Sequence, residues 1–201
     1  MVTMNTIAAF DFDGTLTDRD SLLPFLFFAA GTSKTLGKLL MSLPVLAAFT
    51  LGLESRQAAK EYVLTKFFKG LPENDLRALA QVFAAEELDK YVSKNGFKRI
   101  KWHLCQGHRC VLVSASLELY LRPWAEAKGF ANVFASILQT DQDGNLTGKL
   151  VGRNCWGVEK TRRLQEVLGP KENYVLYAYG DSQGDKELLA LADHPYYRAL
   201  A

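Results

Sequence analysis

Residues 6–15 read Thr6-Ile7-Ala8-Ala9-Phe10-Asp11-Phe12-Asp13-Gly14-Thr15. A β-prone run, Thr6–Phe12, passes directly into Asp13-Gly14-Thr15, a turn signal. Two acids therefore stand at the carboxyl end of a strand, where open α/β sheets bind ligands. Downstream, Arg109–Ser114 has the pattern of a buried strand and leads into a helix over Leu117–Lys128. Val133–Thr140 and Leu146–Val151 read as strands around the turn Asp141–Asn145. Val158–Leu168 reads as a helix, Tyr174–Tyr179 as a strand ending in Gly180-Asp181, and Lys186–Leu191 and Tyr196–Ala199 as a closing helix and strand. Strands alternating with helices predict an α/β Rossmann-like core, a parallel sheet with helices on both faces.

Between the first two core strands the chain reads as helical. Ser55 is placed to cap a helix over Arg56–Phe68, Leu71-Pro72 breaks it, and Glu73–Tyr91 carries apolar residues near helical spacing. Gly96 precedes a further helix ending at Gly107. The expected division is a core of residues 1–20 plus 98–201 and an inserted all-helical cap of residues 21–97. A length of 201 residues with 48% hydrophobic and 23% charged side chains suits one domain with an insertion and excludes a disordered or collagen-like chain. Net charge is +2, from 24 basic and 22 acidic residues, so no nucleic-acid partner is expected. Cys105, Cys110 and Cys155 cannot all pair, and the first residues carry no charged-then-apolar leader, so a cytoplasmic setting is expected. Nothing in the sequence sets an oligomeric state.

Leu22–Leu53 is apolar, interrupted by Pro24, Gly31, Lys34, Gly37, Lys38 and Pro44. Its longest charge-free piece, Leu39–Leu53, falls short of the ~20 residues a spanning helix needs. Two readings remain: a pair of buried helices, or a helix lying on a membrane surface with Lys34 and Lys38 toward the headgroups, a peripheral contact through residues 22–53.

Chemistry-bearing residues recur at the strand ends. Asp11 and Asp13 follow the first strand, Ser114-Ala115-Ser116 the second, and Asp181-Ser182-Gln183-Gly184-Asp185 a later one, while Lys160 opens a helix. Acids gathered at one edge repel unless a cation neutralises them, and Mg²⁺ with phosphate oxygens is the hard-ligand partner that fits. A carboxylate there can attack phosphorus, a second can move protons, and a hydroxyl with an ammonium can hold the phosphoryl oxygens.

These four segments, in this order, resemble the signatures of the haloacid dehalogenase superfamily of aspartate-nucleophile phosphohydrolases: Asp-x-Asp-Gly-Thr at Asp11–Thr15, the strand-end Ser114, the basic Lys160, and the acidic pair Asp181 and Asp185. The resemblance implies Asp11 as nucleophile and Asp13 as general acid/base. It implies Mg²⁺ held by Asp11, the Asp13 carbonyl and Asp181, with Asp185 and Ser182 in support. Phosphate would be bound by Gly14, Thr15, Ser114, Ala115 and Lys160. An acid at position 13 favours a phosphatase over dehalogenases or ion pumps of the superfamily.

The helical insertion after the first signature resembles the phosphoserine phosphatase-like branch, as does Leu146-Thr147-Gly148-Lys149. Asp20 stands where phosphoserine phosphatases keep a glutamate for the substrate amine. Gly14 and Ala115-Ser116, however, replace the Ser and Gly-Gly those enzymes carry, and Arg56 and Lys60 are the nearest stand-ins for their carboxylate-clamping arginine. The apolar segment is similar in place to that of the phosphatidylglycerophosphate phosphatases. The expected activity is hydrolysis of a small or amphiphilic phosphate monoester, with a membrane-surface lipid phosphatase or a phosphoserine phosphatase as alternatives. Transfer to an acceptor other than water, or a catalytically decayed membrane-surface adaptor, are the remaining readings. A nucleotide switch is disfavoured because neither Gly-x-x-x-x-Gly-Lys-Ser/Thr nor Gly-x-Gly-x-x-Gly occurs.

His103, Cys105, His108 and Cys110 lie close enough in sequence for zinc, but Cys110 falls in an expected buried strand and Cys105 on a helix face, so packing is the expected role. Trp102, Trp124 and Trp156 are expected in the core and cap packing, as are Phe25, Phe27 and Phe28, whose alternative is lining an apolar pocket.

Overall fold

The computed structural model describes residues 5–200. Five parallel strands form the central sheet: β1 (Asn5–Phe10), β2 (Arg109–Leu117), β3 (Asn132–Ser136), β6 (Tyr174–Gly180) and β7 (His194–Tyr197), in the order β3-β2-β1-β6-β7. A short antiparallel pair, β4 (Leu138–Thr140) and β5 (Leu146–Leu150), stands apart from it. The strand order reverses direction at β1, with β2 on one side and β6 on the other. In register, Phe10 pairs with Leu112 of β2 and Tyr179 of β6, so the carboxyl ends of three adjacent strands finish side by side. Such a switch point is where open α/β sheets form ligand crevices.

Helices α1 (Leu22–Ala30), α2 (Thr32–Thr50), α3 (Arg56–Phe68) and α4 (Glu73–Glu86) lie between β1 and α5 (Lys94–Cys105); α6 (Glu118–Ala127), α7 (Val158–Leu168) and α8 (Lys186–Leu191) flank the sheet. Ser55 caps α3 as its sequence suggests, its Oγ accepting from Ala58 N at 3.1 Å. One face of the sheet packs Phe10, Phe12, Leu112 and Trp124 against the inserted helices' Phe25, Phe68 and Phe83, and the other buries Ile7, Val111, Val113 and Leu176 under α7 and α8. The β4–β5 hairpin lies against α3 so closely that a Cβ on Gly148 would sit 2.3 Å from the Thr65 Cα.

Several sequence expectations are corrected. Val133–Thr140 is two strands: β3 stays in the parallel sheet and β4 turns to pair with β5. The Glu73–Tyr91 helix stops at Glu86 and tightens into a 3₁₀ turn at Leu88–Lys90. Gly96 lies inside α5, in its first turn, where its N–H donates to the capping Ser93 Oγ and its bare Cα faces the Leu16 carbonyl. Trp124 is buried, but Trp102 and Trp156 are exposed. The buried-helix-pair reading of Leu22–Leu53 holds for Phe25 and Leu26 of α1 and only in part for α2, whose Leu39 and Leu46 pack half-buried on the core beside buried Thr35 and Ser42 while Leu36, Leu40 and Leu43 are exposed.

Candidate active site

Asp11 follows β1 immediately, its N–H donating to Tyr179 O at 3.0 Å, which ties it to the neighbouring strand. The chain then folds tightly at Gly14, where φ is 77° and a Cβ would stand 2.5 Å from Asp181 Oδ2. Glycine is required there both by conformation and by the approach of the acid. The turn delivers Thr15, whose Oγ1 lies 3.1 Å from Asp11 Oδ2 and 3.2 Å from Asp181 Oδ1. One hydroxyl proton thus serves two carboxylates.

Lys160, in the first turn of α7, reaches under this pair. Its Nζ donates to Asp11 Oδ1 at 2.6 Å and to Asp185 Oδ1 at 2.5 Å, and all three side chains are buried. Asp185 is fully committed: its Oδ2 accepts from Asp181 N, Ser182 N and Ser182 Oγ at 2.8–3.2 Å. Burial works against the Lys160 ammonium, but Asp11 and Asp185 outweigh it, and its pKa is raised. Burial likewise lifts Asp11 to about 6, with Lys160 pulling the other way, and burial with Asp185 nearby raises Asp181.

Asp11, Asp181 and Asp185 offer oxygens within 4.8 Å of one another. Three carboxylates against one ammonium leave a negative site, and Asp185 has no oxygen to spare. Asp11 and Asp181 each retain capacity, so these two, with the adjacent carbonyl of Asp13, could hold a hard divalent cation.

Asp13 faces the opposite wall. Its Oδ1 accepts from Ser21 N at 2.8 Å and its Oδ2 from Ser116 Oγ. Ser21 Oγ in turn lies 3.0 Å from Tyr120 OH. Burial first, then the charge of Asp20, pushes Asp13 up to about 7. Ser114 is buried within β2, which continues to Leu117 rather than ending at Ser114, and its Oγ accepts from Ser116 N at 3.0 Å.

Asp11, Asp13, Ser114, Ala115, Lys160, Ser182, Asp20, Arg56 and Lys60 line one cavity of about 350 Å³. Gly14, Thr15, Asp181 and Asp185 do not line it; Thr15 and Asp185 lie behind its wall, bonded to the lining Asp11 and Lys160. Asp20 is exposed and uses Oδ1 to accept from Leu22 N and Leu23 N, turning the chain into α1. Lys60 comes down from α3 and donates to the Ala115 carbonyl and to Asn154 Oδ1 (3.2 Å); burial lowers its pKa to about 8. Arg56 lies between two aromatic rings, 5.4 Å from Phe49 and 5.1 Å from Trp156.

Three site residues carry no sequence signal of their own. Asn154 links Lys60, Ser136 and Gln57; Ser116 and Ser21 hold Asp13. Single serines and asparagines in loops are too common to single out, although Ser116 does sit two residues after Ser114. The His103–Cys110 group does not gather as a four-donor set: Cys110 is buried in β2, Cys105 is exposed on α5, and His103 and His108 hydrogen-bond each other at 2.8 Å.

A haloacid dehalogenase-like hydrolase family model matches residues 8–190. The chain is 37% identical over 198 residues to Protein CicA of Caulobacter vibrioides, spanning 96% of this chain and 85% of that protein. It is 24% identical over 199 residues to a histidinol-phosphatase of Neisseria meningitidis, with 96% and 89% covered. Among solved structures, a protein of unknown function from Bordetella pertussis Tohama I superposes with a TM-score of 0.81 at 22% identity, over 96% of this chain and 89% of that one. A substrate-bound phosphoserine phosphatase superposes with a TM-score of 0.63 at 17% identity, over 96% and 85%.

Proposed function

The chain belongs to the haloacid dehalogenase-like hydrolase family, with the fold of its phosphoserine phosphatase-like branch, and is a phosphatase; from that premise we propose that it hydrolyses a small or amphiphilic phosphate monoester through a phosphorylated Asp11. The observation that carries this reading is the pairing in one cavity of Asp11, held by the Lys160 ammonium at 2.6 Å, with a second carboxyl, Asp13, held by the neutral donors Ser21 N and Ser116 Oγ. Two acids in such different settings are suited to different roles.

Asp11 attacks phosphorus as its carboxylate while Asp13, protonated near neutral pH, gives its proton to the departing alkoxide. The P–O bond to the alcohol breaks and the acyl phosphate forms on Asp11. Asp13, now ionised, takes a proton from the water that attacks phosphorus, and Asp11 is restored as phosphate leaves. Ser114 Oγ, the backbone of Gly14 to Thr15 and Ala115, and the Lys160 ammonium hold the phosphoryl oxygens. Mg²⁺ is assigned to Asp11, the Asp13 carbonyl and Asp181, with Asp185 and Ser182 fixing the loop; when bound it neutralises charge on the phosphoryl group. Residues 21–97 act as a cap over the core of 1–20 and 98–201. Arg56 and Lys60 from it, with Asp20 at its entry, meet the alcohol portion.

The test is p-nitrophenyl phosphate turnover with Mg²⁺, with EDTA, and with Asp11→Asn. Mg²⁺-dependent release that falls by about 10³ or more in Asp11→Asn is expected. Turnover unaffected by Asp11→Asn would overturn the assignment of the nucleophile. A phosphate panel including phosphoserine, histidinol phosphate and lysophosphatidate then ranks the alcohols.

A further inference from the structure

α2 is apolar on two faces, with Leu39 and Leu46 half-buried against the core. Its fully buried side chains are Thr35 and Ser42, whose hydroxyls are satisfied by the carbonyls of Leu26 and Lys38 at 3.1 and 2.8 Å. Its outer face carries Leu36, Leu40, Leu43 and Ala47, continued by Leu51, at positions that fall on one helical stripe about four turns long. Leu40, Leu43 and Leu51 are 67%, 53% and 73% exposed. Leu39 and Leu46 already give α2 an apolar inner face against the core, so a second stripe of leucines turned to solvent marks an interaction face.

No acid lies between Ser21 and Leu53, and Glu54 follows; Lys34 at the start of α2 is exposed, while Lys38 turns to α3, donating to the Phe67 carbonyl at 3.4 Å and lying over its ring. The same helix also walls the active-site cavity, through Leu46 and Phe49, beside Leu22 of α1. An apolar path therefore runs from the outer stripe around α2 to the cavity. Among the described residues no helix is long and apolar enough to cross a membrane.

We propose that the outer face of α2 docks on a lipid bilayer bearing anionic headgroups, and that the cavity takes its phosphate monoester from that surface, with the substrate's acyl or alkyl chain against Leu46 and Phe49. This rests on the phosphatase reading of the site. The leucine stripe enters the headgroup region while the exposed Lys34 meets lipid phosphates, the arrangement of an interfacial rather than a spanning helix. A second copy of the chain could cover the stripe, but would not account for the continuity between the stripe's helix and the cavity wall.

The test uses the full chain and the variant Leu40→Glu/Leu43→Glu, two exposed side chains outside the cavity. Flotation is run with phosphatidylcholine vesicles alone and with added phosphatidylglycerol. Turnover is followed on p-nitrophenyl phosphate in solution and on lysophosphatidate in the same vesicles. The wild type should float, more so with the anionic lipid. The variant should lose flotation and at least about tenfold of its vesicle turnover, with p-nitrophenyl phosphate turnover unchanged. Three results would overturn the proposal: wild type left in the soluble fraction with both vesicle types, a variant that floats and acts on vesicles like wild type, or a wild-type dimer in sedimentation that the variant dissociates. Absence of p-nitrophenyl phosphate turnover in wild type that still floats would instead strike the phosphatase reading and leave the docking face standing.

Discussion

Lys160 Nζ lies 2.6 Å from Asp11 Oδ1, with both side chains buried, and the same ammonium holds Asp185 at 2.5 Å. Replacing Lys160 by methionine leaves two buried acids without their cation. The expected cost is about 3–5 kcal/mol of unfolding free energy, together with loss of turnover. Urea denaturation of Lys160→Met without divalent metal measures it. A variant as stable as the wild type would mean that the acids are held neutral by protons rather than by Lys160.

Ser116 Oγ and Ser21 N donate to the two oxygens of Asp13, favouring its ionised form against burial. Ser116→Ala removes one donor, so the Asp13 pKa rises further. The first chemical step needs Asp13 protonated, so the alkaline limb of kcat/KM should move to higher pH, by about one unit. An unmoved limb with lowered kcat would show that Ser116 orients Asp13 without tuning it.

Gly14 has φ 77°, and a Cβ there would meet Asp181 Oδ2 at 2.5 Å. Gly14→Ala therefore costs backbone strain of about 1–3 kcal/mol and displaces Asp181. The expected outcome is a lowered melting temperature and a raised Mg²⁺ requirement for turnover. Gly14→Ala with wild-type Mg²⁺ dependence would separate Asp181 from the metal.

His103 is buried between His108 and Tyr179, its Nδ1 2.8 Å from His108 Nδ1 and its Nε2 2.9 Å from the Tyr179 hydroxyl. Burial, then the charges of His108 and Arg99, lowers its pKa to about 4. The unfolded chain, with a histidine pKa near 6.5, therefore takes up the proton first as pH falls. Stability from neutral His103 is complete above about 6.5 and is lost progressively down to about 4. Melting temperatures between pH 7 and 5 should fall more steeply for wild type than for His103→Gln; equal slopes would remove His103 as the source.

Much of this arrangement was legible beforehand because it is local. The bounds of α3, α7 and α8 follow from the Ser55 cap and from helical spacing of apolar residues. The acids after β1 and β6 could be placed because a strand followed by a glycine turn fixes where a side chain emerges. Chain direction misled at Val133–Thr140, where β-propensity is continuous but the ladder changes partner at Ile137. It also misled at Gly96, where a cap three residues earlier started the helix through the glycine.

The sequence by itself determined the α/β alternation and the inserted helices, which rest on neighbours within a few positions, and singled out Asp11, Asp13, Lys160, Asp181 and Asp185 as candidates through four segments in one order. Only the tertiary structure decided that Asp185 is spent on its own loop and Lys160 while Asp181 is left open, that Ser116 and Ser21 hold Asp13, and that Lys60 reaches the Ala115 carbonyl. It alone decided which way α2 faces: apolar residues occupy most sides of that helix, so periodicity could not choose. Thr35 bonded to the Leu26 carbonyl of α1 and Leu39 and Leu46 packed on the core, with Leu40 and Leu43 outward, made the choice.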